Sequence, residues 1–188
     1  GFKSQKIRAI YNLGQIDFGE SKFQEGFEKQ QILKDLKDIK WHFIGKIQSN
    51  KIRKIVKNFE YIHSVDSSEK LYKISKISFE EKKTPLIMLQ VKLSNDPSKG
   101  GISPHELIEK WDNIKQLKNI KIKGLMTINP KGLCPKDNLQ LFKKCRSLAD
   151  SLSLHDCSMG MSSDWKEAVE AGSTWIRLGS IIFGNREN

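Results

Sequence analysis

The sequence predicts an α/β fold, a parallel TIM (β/α)8 barrel, and two observations support this prediction. Short apolar runs alternate with longer amphipathic ones, which gives seven strand candidates separated by helices. Strict alternation of strand and helix implies a parallel sheet with right-handed crossovers, either a doubly wound sheet or a barrel. The sequence contains neither GxGxxG nor GxxxxGKS/T, the two commonest phosphate loops of doubly wound sheets, and this favours the barrel.

The strand candidates are short apolar or alternating segments. They span residues 16–19, 41–45, 61–65, 86–91, 120–128, 154–159 and 174–178. Residues 86–91 are almost purely apolar, as expected of a parallel strand that is buried on both faces. A complete barrel has eight strands and about 250 residues, and this chain is short of both. We expect the missing strand to be the first one, before Gly1.

The helix candidates lie between these strands and carry apolar residues at helical spacing. They span residues 5–13, 23–36, 50–58, 68–81, 104–118, 139–152 and 164–171. Gly14 and Gly172 are expected to end the first and the last of these helices, and Pro104 stands at a helix start. No linker, repeat or low-complexity tract interrupts the chain, so residues 1–188 are expected to form a single domain.

The composition excludes several classes of protein. Charged residues make up 29% of the 188 residues, but Ile, Leu, Val and Phe recur throughout, so the chain is not disordered. No apolar run approaches the roughly 18 residues that would span a bilayer, and no secretory h-region opens the chain. Cys134, Cys145 and Cys157 are odd in number and form no CxxC pair. This argues against a disulfide framework and favours the cytoplasm.

The net charge of +11, from 33 Lys and Arg against 22 Asp and Glu, raises a basic nucleic-acid-binding protein as an alternative. The basic helix at 50–58 could contact phosphates, although such a stripe is more often the solvated face of a barrel helix. Lysine is scattered through almost every polar stretch, and the sequence has no recognition motif and no aromatic stacking platform. We therefore expect no specific nucleic-acid partner.

The loops that follow the last two strands are the best candidates for a functional site. In barrels, phosphate sites commonly form from the loops after the seventh and eighth strands. Here the first loop contains Ser162, and the second contains Arg177 and Ser180. The serine hydroxyls and backbone N–H groups could form a phosphate cradle, and Arg177 adds a fixed positive charge. The alternative is that Ser162 or Ser163 merely caps the helix from residue 164.

The four histidines point to no metal site. They are too far apart in sequence for a local metal motif, and no HExxH occurs. His42 and His63 lie in predicted strands, where a packed core histidine is at least as common as a functional one. His105 and His155 lie in polar stretches of the sequence and suggest no function. Cys157 is expected to act as a small apolar residue of its strand.

Several long motifs along the chain carry a family likeness. They are Phe18-Gly19-Glu20, Trp41-His42-Phe43-Ile44-Gly45 with Gln48-Ser49-Asn50-Lys51, Gln90-Val91 through Gly101, Gly124-Leu125-Met126-Thr127-Ile128, residues 154–164, and Arg177-Leu178-Gly179-Ser180 with Phe183-Gly184. Together they closely resemble the pyridoxal phosphate homeostasis proteins, the YggS/PROSC family, which is related to the N-terminal barrel of alanine racemase. The resemblance covers essentially the whole chain.

The resemblance implies a single-domain barrel of the alanine racemase N-terminal type. Members of the family bind pyridoxal 5′-phosphate (PLP) through a Schiff base and are thought to buffer or deliver it, without established catalytic turnover. By matching positions, Ser162, Gly179 and Ser180 line the phosphate, and Arg177 faces the pyridine nitrogen. The full set of expected cofactor-binding residues is Ser21, Met161, Ser162, Arg177, Gly179 and Ser180. An arginine cannot keep the ring nitrogen protonated, which agrees better with a carrier than with a powerful PLP enzyme.

The nearest enzymatic alternative is an amino-acid racemase built on the same barrel. By resemblance, alanine racemases carry a second β-domain and a catalytic tyrosine supplied across a dimer, whereas this chain stops at Asn188, just after the last strand's loop. A fully formed racemase is therefore disfavoured. PLP is the expected small-molecule partner, PLP-requiring apo-enzymes are the expected protein partners, no membrane is involved, and a monomer is expected.

Two departures from the family's pattern bear on the site. The family's Phe-Gly-Glu-Asn motif ends here in Ser21, so one amide contact near the cofactor is weakened or replaced. The resemblance also places the Schiff-base lysine, at the end of the first strand, immediately before Gly1. Lys3 falls three positions late and is not expected to substitute for it. We therefore expect an incomplete barrel with an open seam, and only weak PLP binding by the 188-residue chain.

Overall fold

The computed structural model describes residues 3–184, in which helices and strands alternate. The strands, β1 to β7 in chain order, are Asp17–Glu20, Lys40–Phe43, Tyr61–Val65, Leu86–Gln90, Lys121–Met126, Asp156–Met161 and Trp175–Arg177. The helices, α1 to α8, are Ser4–Tyr11, Phe23–Ile32, Ile52–Asn58, Ser68–Glu80, Pro104–Ile114, Pro135–Ser151, Trp165–Glu170 and Ser180–Phe183. Each observed strand overlaps one of the seven predicted strands, so the predicted alternation is confirmed.

The seven strands are all parallel and lie in one sheet in the order β1-β2-β3-β4-β5-β6-β7. A doubly wound sheet would reverse its strand order at a switch point, and this sheet does not. The sheet curls until its edges approach each other. The His42 ring on β2 lies only 5.0 Å from the Trp175 ring on β7, which shows this curl. The fold is therefore a nearly closed TIM-type barrel, as the sequence predicts. The strand expected before Gly1 lies outside the described residues. Within residues 3–184, β1 and β7 are the two edges of the sheet and are not paired with each other, so the expected seam is open.

The main hydrophobic core lies between the outer face of the sheet and the helices. Ile52 of α3, Leu71 of α4 and Phe142 of α6 are all fully buried in it. On β4 the successive residues Ile87, Met88 and Leu89 are each 0% exposed. Both faces of this strand are therefore covered, which explains why its sequence is a continuous apolar run rather than an alternating one.

A second, smaller hydrophobic cluster joins the two edges of the barrel. Ile7 of α1, Phe18 of β1 and Leu33 after α2 are buried in it, and Phe183 of α8 packs against it. The Lys6 ammonium also donates to the Phe183 carbonyl oxygen at 2.9 Å. The last helix is thereby attached to the first helix and strand.

Three helices have ends that differ from their predicted positions by four residues. α5 ends at Ile114 rather than at residue 118, because Lys115 and Gln116 form a turn. α2 ends at Ile32 rather than at residue 36, because Leu33 leaves the helical conformation, with φ −103° and ψ 21°, and is buried in the turn. α6 begins at Pro135 rather than at residue 139. Proline suits the first helical position because the N–H that it lacks would have no partner there. Among residues 3–184, no helix is both long enough and apolar enough to cross a bilayer.

Candidate functional site

The candidate site lies at the carboxyl-terminal rim of the barrel, where β6 and β7 end side by side. Met161, the last residue of β6, is paired in register with Arg177, the last residue of β7. The loop at 162–164 and the turn at 178–179 therefore leave the sheet next to each other. The structure thus brings together the two loops that the sequence singles out.

Ser162 links these two loops. Its Oγ accepts hydrogen bonds from the backbone N–H of Gly179 at 3.3 Å and of Ile181 at 3.4 Å. Asp164, not a serine, is the N-cap residue of α7, and its carboxylate accepts from the backbone N–H of Met161 at 2.7 Å. The helix-capping alternative for Ser162 is therefore wrong, because its oxygen faces the turn after β7.

This turn has the chemistry of an anion cradle. Successive backbone N–H groups that converge on one oxygen form the concave arrangement that binds anions. Here the N–H groups of Gly179 and Ile181 converge on the Ser162 hydroxyl oxygen. Ser180 lies between them in the chain and is exposed. The rim therefore offers amide and hydroxyl donors within a few residues of each other.

Arg177 places a fixed positive charge beside this cradle. Its Nη1 donates to Ser158 Oγ at 2.8 Å, and its Nη2 donates to the carbonyl oxygen of Thr127 at 3.0 Å. These two contacts orient the guanidinium group between the end of β5 and the middle of β6. Burial lowers the pKa of Arg177 to about 10, so the side chain keeps its charge at neutral pH.

Ser158 also connects Arg177 to a chain of buried hydrogen bonds through the barrel interior. Ser158 Oγ lies 2.8 Å from His63 Nδ1, and His63 Nε2 lies 2.9 Å from His42 Nδ1. His42 Nε2 lies 3.0 Å from Asp17 Oδ1. The two imidazoles are 4% exposed or less. We call these five residues the interior chain; it joins the carboxyl-terminal end of β7 to the first residue of β1.

Aromatic rings surround the two histidines and keep them neutral. Tyr61 stacks on His42 with ring centroids 4.2 Å apart, and Trp175 packs against both imidazoles. Burial lowers the pKa of His63 well below its ordinary value of 6.5, and the charges of His42 and Arg177 act in the same direction. Burial also lowers the pKa of His42, although the Asp17 carboxylate opposes this. Within residues 3–184, no three His, Cys, Asp or Glu side chains are placed to hold a metal ion.

These lowered pKa values predict that acid destabilises the fold. Below about pH 6.5 the histidines of the unfolded chain take up protons that His42 and His63 in the folded chain do not, so the unfolded state is favoured. Each histidine then removes about 1.4 kcal/mol of stability per pH unit until its folded-state pKa is reached. Urea unfolding at pH 7.5, 6.5 and 5.5 measures the effect.

The matched variants for this test remove buried or exposed histidines. His42→Leu/His63→Leu should flatten the acid dependence, whereas His105→Asn/His155→Asn should leave it unchanged, because the latter side chains are exposed. An equal slope in both double variants would contradict the prediction.

Ser21 stands apart from the other predicted site residues. Met161, Ser162, Arg177, Gly179 and Ser180 group at β6 and β7, whereas Ser21 follows β1, the opposite edge strand of the sheet. Ser21 is exposed. Its backbone carbonyl packs closely against Gly45 in the loop after β2, because a Cβ atom at Gly45 would lie 1.7 Å from the Ser21 oxygen.

The basic helix α3 is paired with acidic residues. Arg53 forms ion pairs with Glu80 and Glu81 at the end of α4, and the Lys57 ammonium lies 3.5 Å from a Glu81 carboxylate oxygen. Two of the cations that raised the nucleic-acid alternative are therefore neutralised within the fold. This favours the solvated-face interpretation of α3.

The interior chain is the part of the site that sequence reasoning missed. His42 and His63 are buried, as expected of core histidines, but both nitrogens of each ring are hydrogen-bonded. Ser158 was not singled out as a partner of Arg177. In the structure His42, His63, Ser158 and Arg177 are each the third residue of their strand. The sequence alone shows only that each is a polar residue within a predicted strand.

Comparisons with known proteins identify the family. The family model of the alanine racemase N-terminal domain matches residues 4–187. A pyridoxal phosphate homeostasis protein of Synechocystis sp. is 48% identical over 186 residues, which cover 96% of this chain and 85% of that protein. The chain belongs to the pyridoxal phosphate homeostasis proteins. A further member of this family, from Aquifex aeolicus, is 37% identical over 187 residues, covering 96% of this chain and 82% of that protein.

Solved structures agree with this family membership. PipY of Synechococcus elongatus PCC7942, solved without PLP, is 44% identical with a TM-score of 0.94, covering 96% of this chain and 87% of that one. The structure of PipY with PLP bound is 42% identical over the same shares, with a TM-score of 0.92. An alanine racemase of Clostridium difficile 630 is 14% identical with a TM-score of 0.79, and this chain covers 50% of it. The racemase shares the fold alone. This homeostasis-family chain thus has the alanine racemase-type barrel that its motifs imply.

Proposed function

We propose that this chain binds PLP at the rim of β6 and β7 and acts in PLP homeostasis in the cytoplasm, without catalytic turnover. The observation that carries the proposal is the convergence of the Gly179 and Ile181 N–H groups on Ser162 Oγ. Ser162 follows β6, and the oriented guanidinium of Arg177 belongs to the last residue of the neighbouring strand β7. Relatives named as PLP homeostasis proteins and the PLP-bound PipY structure support it. The odd number of cysteines and the lack of a CxxC pair support a reducing compartment.

The residues present fit the two ends of PLP. The phosphate is a dianion that needs several N–H and O–H donors, and the cradle at Ser162, Gly179 and Ser180 supplies them. The pyridine ring needs a partner for its nitrogen, and Arg177 supplies a donor of fixed direction. When bound, PLP supplies an aldehyde that reacts with amines and a ring that accepts electrons. Arg177 would donate a hydrogen bond to the ring nitrogen and would not protonate it, so the bound ring would be a modest electron acceptor, which suits storage and delivery.

The remaining predicted residues take secondary roles in this proposal. Met161 directly precedes Ser162 and is paired in register with Arg177, so it borders the cradle. Ser21 lines the opposite side of the rim. The lysine that the resemblance places immediately before Gly1 lies outside these 188 residues, so the residues above are proposed to bind the phosphate and the ring independently of it. Apo-enzymes that require PLP are the recipients that this role implies, and the chain is proposed to act as a monomer.

Equilibrium dialysis of the 188-residue chain tests the proposal. PLP should be retained at one equivalent per chain, whereas pyridoxal, which lacks the phosphate, should be retained at least tenfold less tightly because the cradle contributes nothing to its binding. Duplex DNA serves as the competing ligand, and its binding should be weak and should fall steeply with salt. Retention of DNA but not of PLP would overturn the proposal in favour of the nucleic-acid alternative.

A further inference from the structure

The two ends of the interior chain decide where its hydrogens sit. The guanidinium group of Arg177 can only donate, so Ser158 Oγ accepts from it. An ionised Asp17 carboxylate can only accept, so His42 carries its hydrogen on Nε2. A neutral His42 then accepts at Nδ1 from His63 Nε2–H, and His63 Nδ1 accepts from the Ser158 hydroxyl. Each hydrogen bond of the interior chain thus contains one hydrogen. In every one of them the donor is the residue nearer to Arg177, and the acceptor is the residue nearer to Asp17.

The reverse direction leaves a buried donor unpaired. If a proton were added to His42, the link to His63 would reverse, and His63 would donate from Nδ1 to Ser158 Oγ. The Ser158 side chain is 0% exposed, and within residues 3–184 its hydrogen-bond partners are His63 and Arg177. Its hydroxyl hydrogen would then have no acceptor, and a buried unsatisfied donor is costly. The geometry therefore favours the direction in which Ser158 donates to His63 and accepts from Arg177.

We propose that His63, held in turn by His42, is a positioning residue for the pyridine ring of PLP. By accepting the Ser158 hydrogen, His63 turns a Ser158 lone pair towards Arg177 and fixes the guanidinium group. This inference rests on the proposed PLP function and deepens it, because the fixed Arg177 offers the ring nitrogen a donor and no acceptor. The site thereby selects a pyridine nitrogen that carries no proton.

The surroundings of the chain suit this role. Tyr61 and Trp175 cover the imidazoles and exclude the water that could otherwise replace either partner. The Thr127 carbonyl accepts from Nη2 of Arg177 and so fixes only one of the two terminal nitrogens of the guanidinium group. Without His63, Ser158 can rotate its hydrogen towards Arg177, and the guanidinium then loses its second fixed contact.

Binding of two ligands to variants of the 188-residue chain tests the proposal. The ligands are PLP and 1-deazapyridoxal 5′-phosphate, in which a C–H group replaces the ring nitrogen. The wild-type chain should bind PLP about tenfold more tightly than the analogue, the value of one charge-assisted hydrogen bond. His63→Leu should reduce this preference to less than threefold while changing the affinity for the analogue less than threefold. His63→Gln, whose amide can both accept and donate, should restore most of the preference, and His155→Leu, at an exposed position, should leave it intact.

The outcomes separate this inference from the function on which it rests. If the wild-type chain binds neither ligand, the proposed function fails. If it binds PLP and His63→Leu keeps the wild-type preference, the function stands and the positioning role of His63 is overturned. Imidazole ¹⁵N NMR of the wild-type chain gives a second readout that needs no variant. It should show His42 and His63 as neutral Nε2–H tautomers at pH 7, and an Nδ1–H tautomer or an imidazolium at either position would contradict the inference.

Discussion

Replacing Gly124 by alanine is expected to lower the free energy of unfolding by about 3 kcal/mol, a large share of the stability of an ordinary domain. Gly124 lies in β5, between β4 and β6, and is paired with Asp156. A Cβ atom built at this position would lie 1.9 Å from the Asp156 carbonyl oxygen and 2.5 Å from its carbonyl carbon. Both atoms belong to the backbone of a neighbouring strand, so the clash can be relieved only by separating two paired strands inside the barrel.

Gly100→Ala is the matched control for this substitution. Gly100 lies in the loop after β4, and an added Cβ atom would meet nothing closer than the Asp66 carboxylate at 3.5 Å, an ordinary contact. Its unfolding midpoint in urea should stay within the error of the wild-type value, or rise slightly because alanine restricts the unfolded chain. If Gly124→Ala unfolds at the same urea concentration as Gly100→Ala, the close approach of β5 and β6 described here is incorrect.

Ser162→Asp is expected to weaken PLP binding by at least a hundredfold. The new carboxylate would accept the hydrogen bonds that the N–H groups of Gly179 and Ile181 now donate to the Ser162 oxygen. It would also stand next to the phosphate, and two like charges about 4 Å apart near a protein surface repel by about 4 kcal/mol. A hundredfold loss corresponds to about 2.7 kcal/mol. Titration of the PLP absorbance with protein measures the dissociation constant.

The neighbouring serine provides the control. Ser163 is exposed and lies one residue further along the same loop, so Ser163→Asp adds the same charge without entering the cradle. Solvent screens a charge in that position, and the dissociation constant should change less than threefold. Equal losses in the two variants would mean that the general charge of the rim, rather than the cradle at Ser162, governs binding.

The strands were predictable because their burial leaves a simple trace in the sequence. Ile87, Met88 and Leu89 are buried on both faces of β4, and an uninterrupted apolar run records this directly. The end of α2 was less predictable. Leu33 is apolar and continues the helical spacing of α2, but it is buried in a turn against Ile7 and Phe18, and contacts this distant in sequence leave no local signal.

The outer part of the candidate site was predictable, but its interior was not. Ser162 and Arg177 lie in loops rich in glycine and serine after consecutive strands, and the parallel fold brings such loops together. His42 and His63 lie on the neighbouring strands β2 and β3, but His63 and Ser158 are linked across the barrel between β3 and β6, which are not neighbours in the sheet. Their pairing depends on how tightly the sheet curls, and no periodicity in the sequence reports that curl.

The most direct test of the central claim is a crystal structure of this chain grown with PLP. The account predicts phosphate oxygens within hydrogen-bond distance of the Gly179 and Ile181 N–H groups and of the Ser162 hydroxyl, with the pyridine nitrogen facing Arg177. The contrary result is PLP bound elsewhere while the rim of β6 and β7 stays empty. A groove lined by Lys92, Lys143 and Lys144 beside α6 is a basic cavity where a phosphate could then be found.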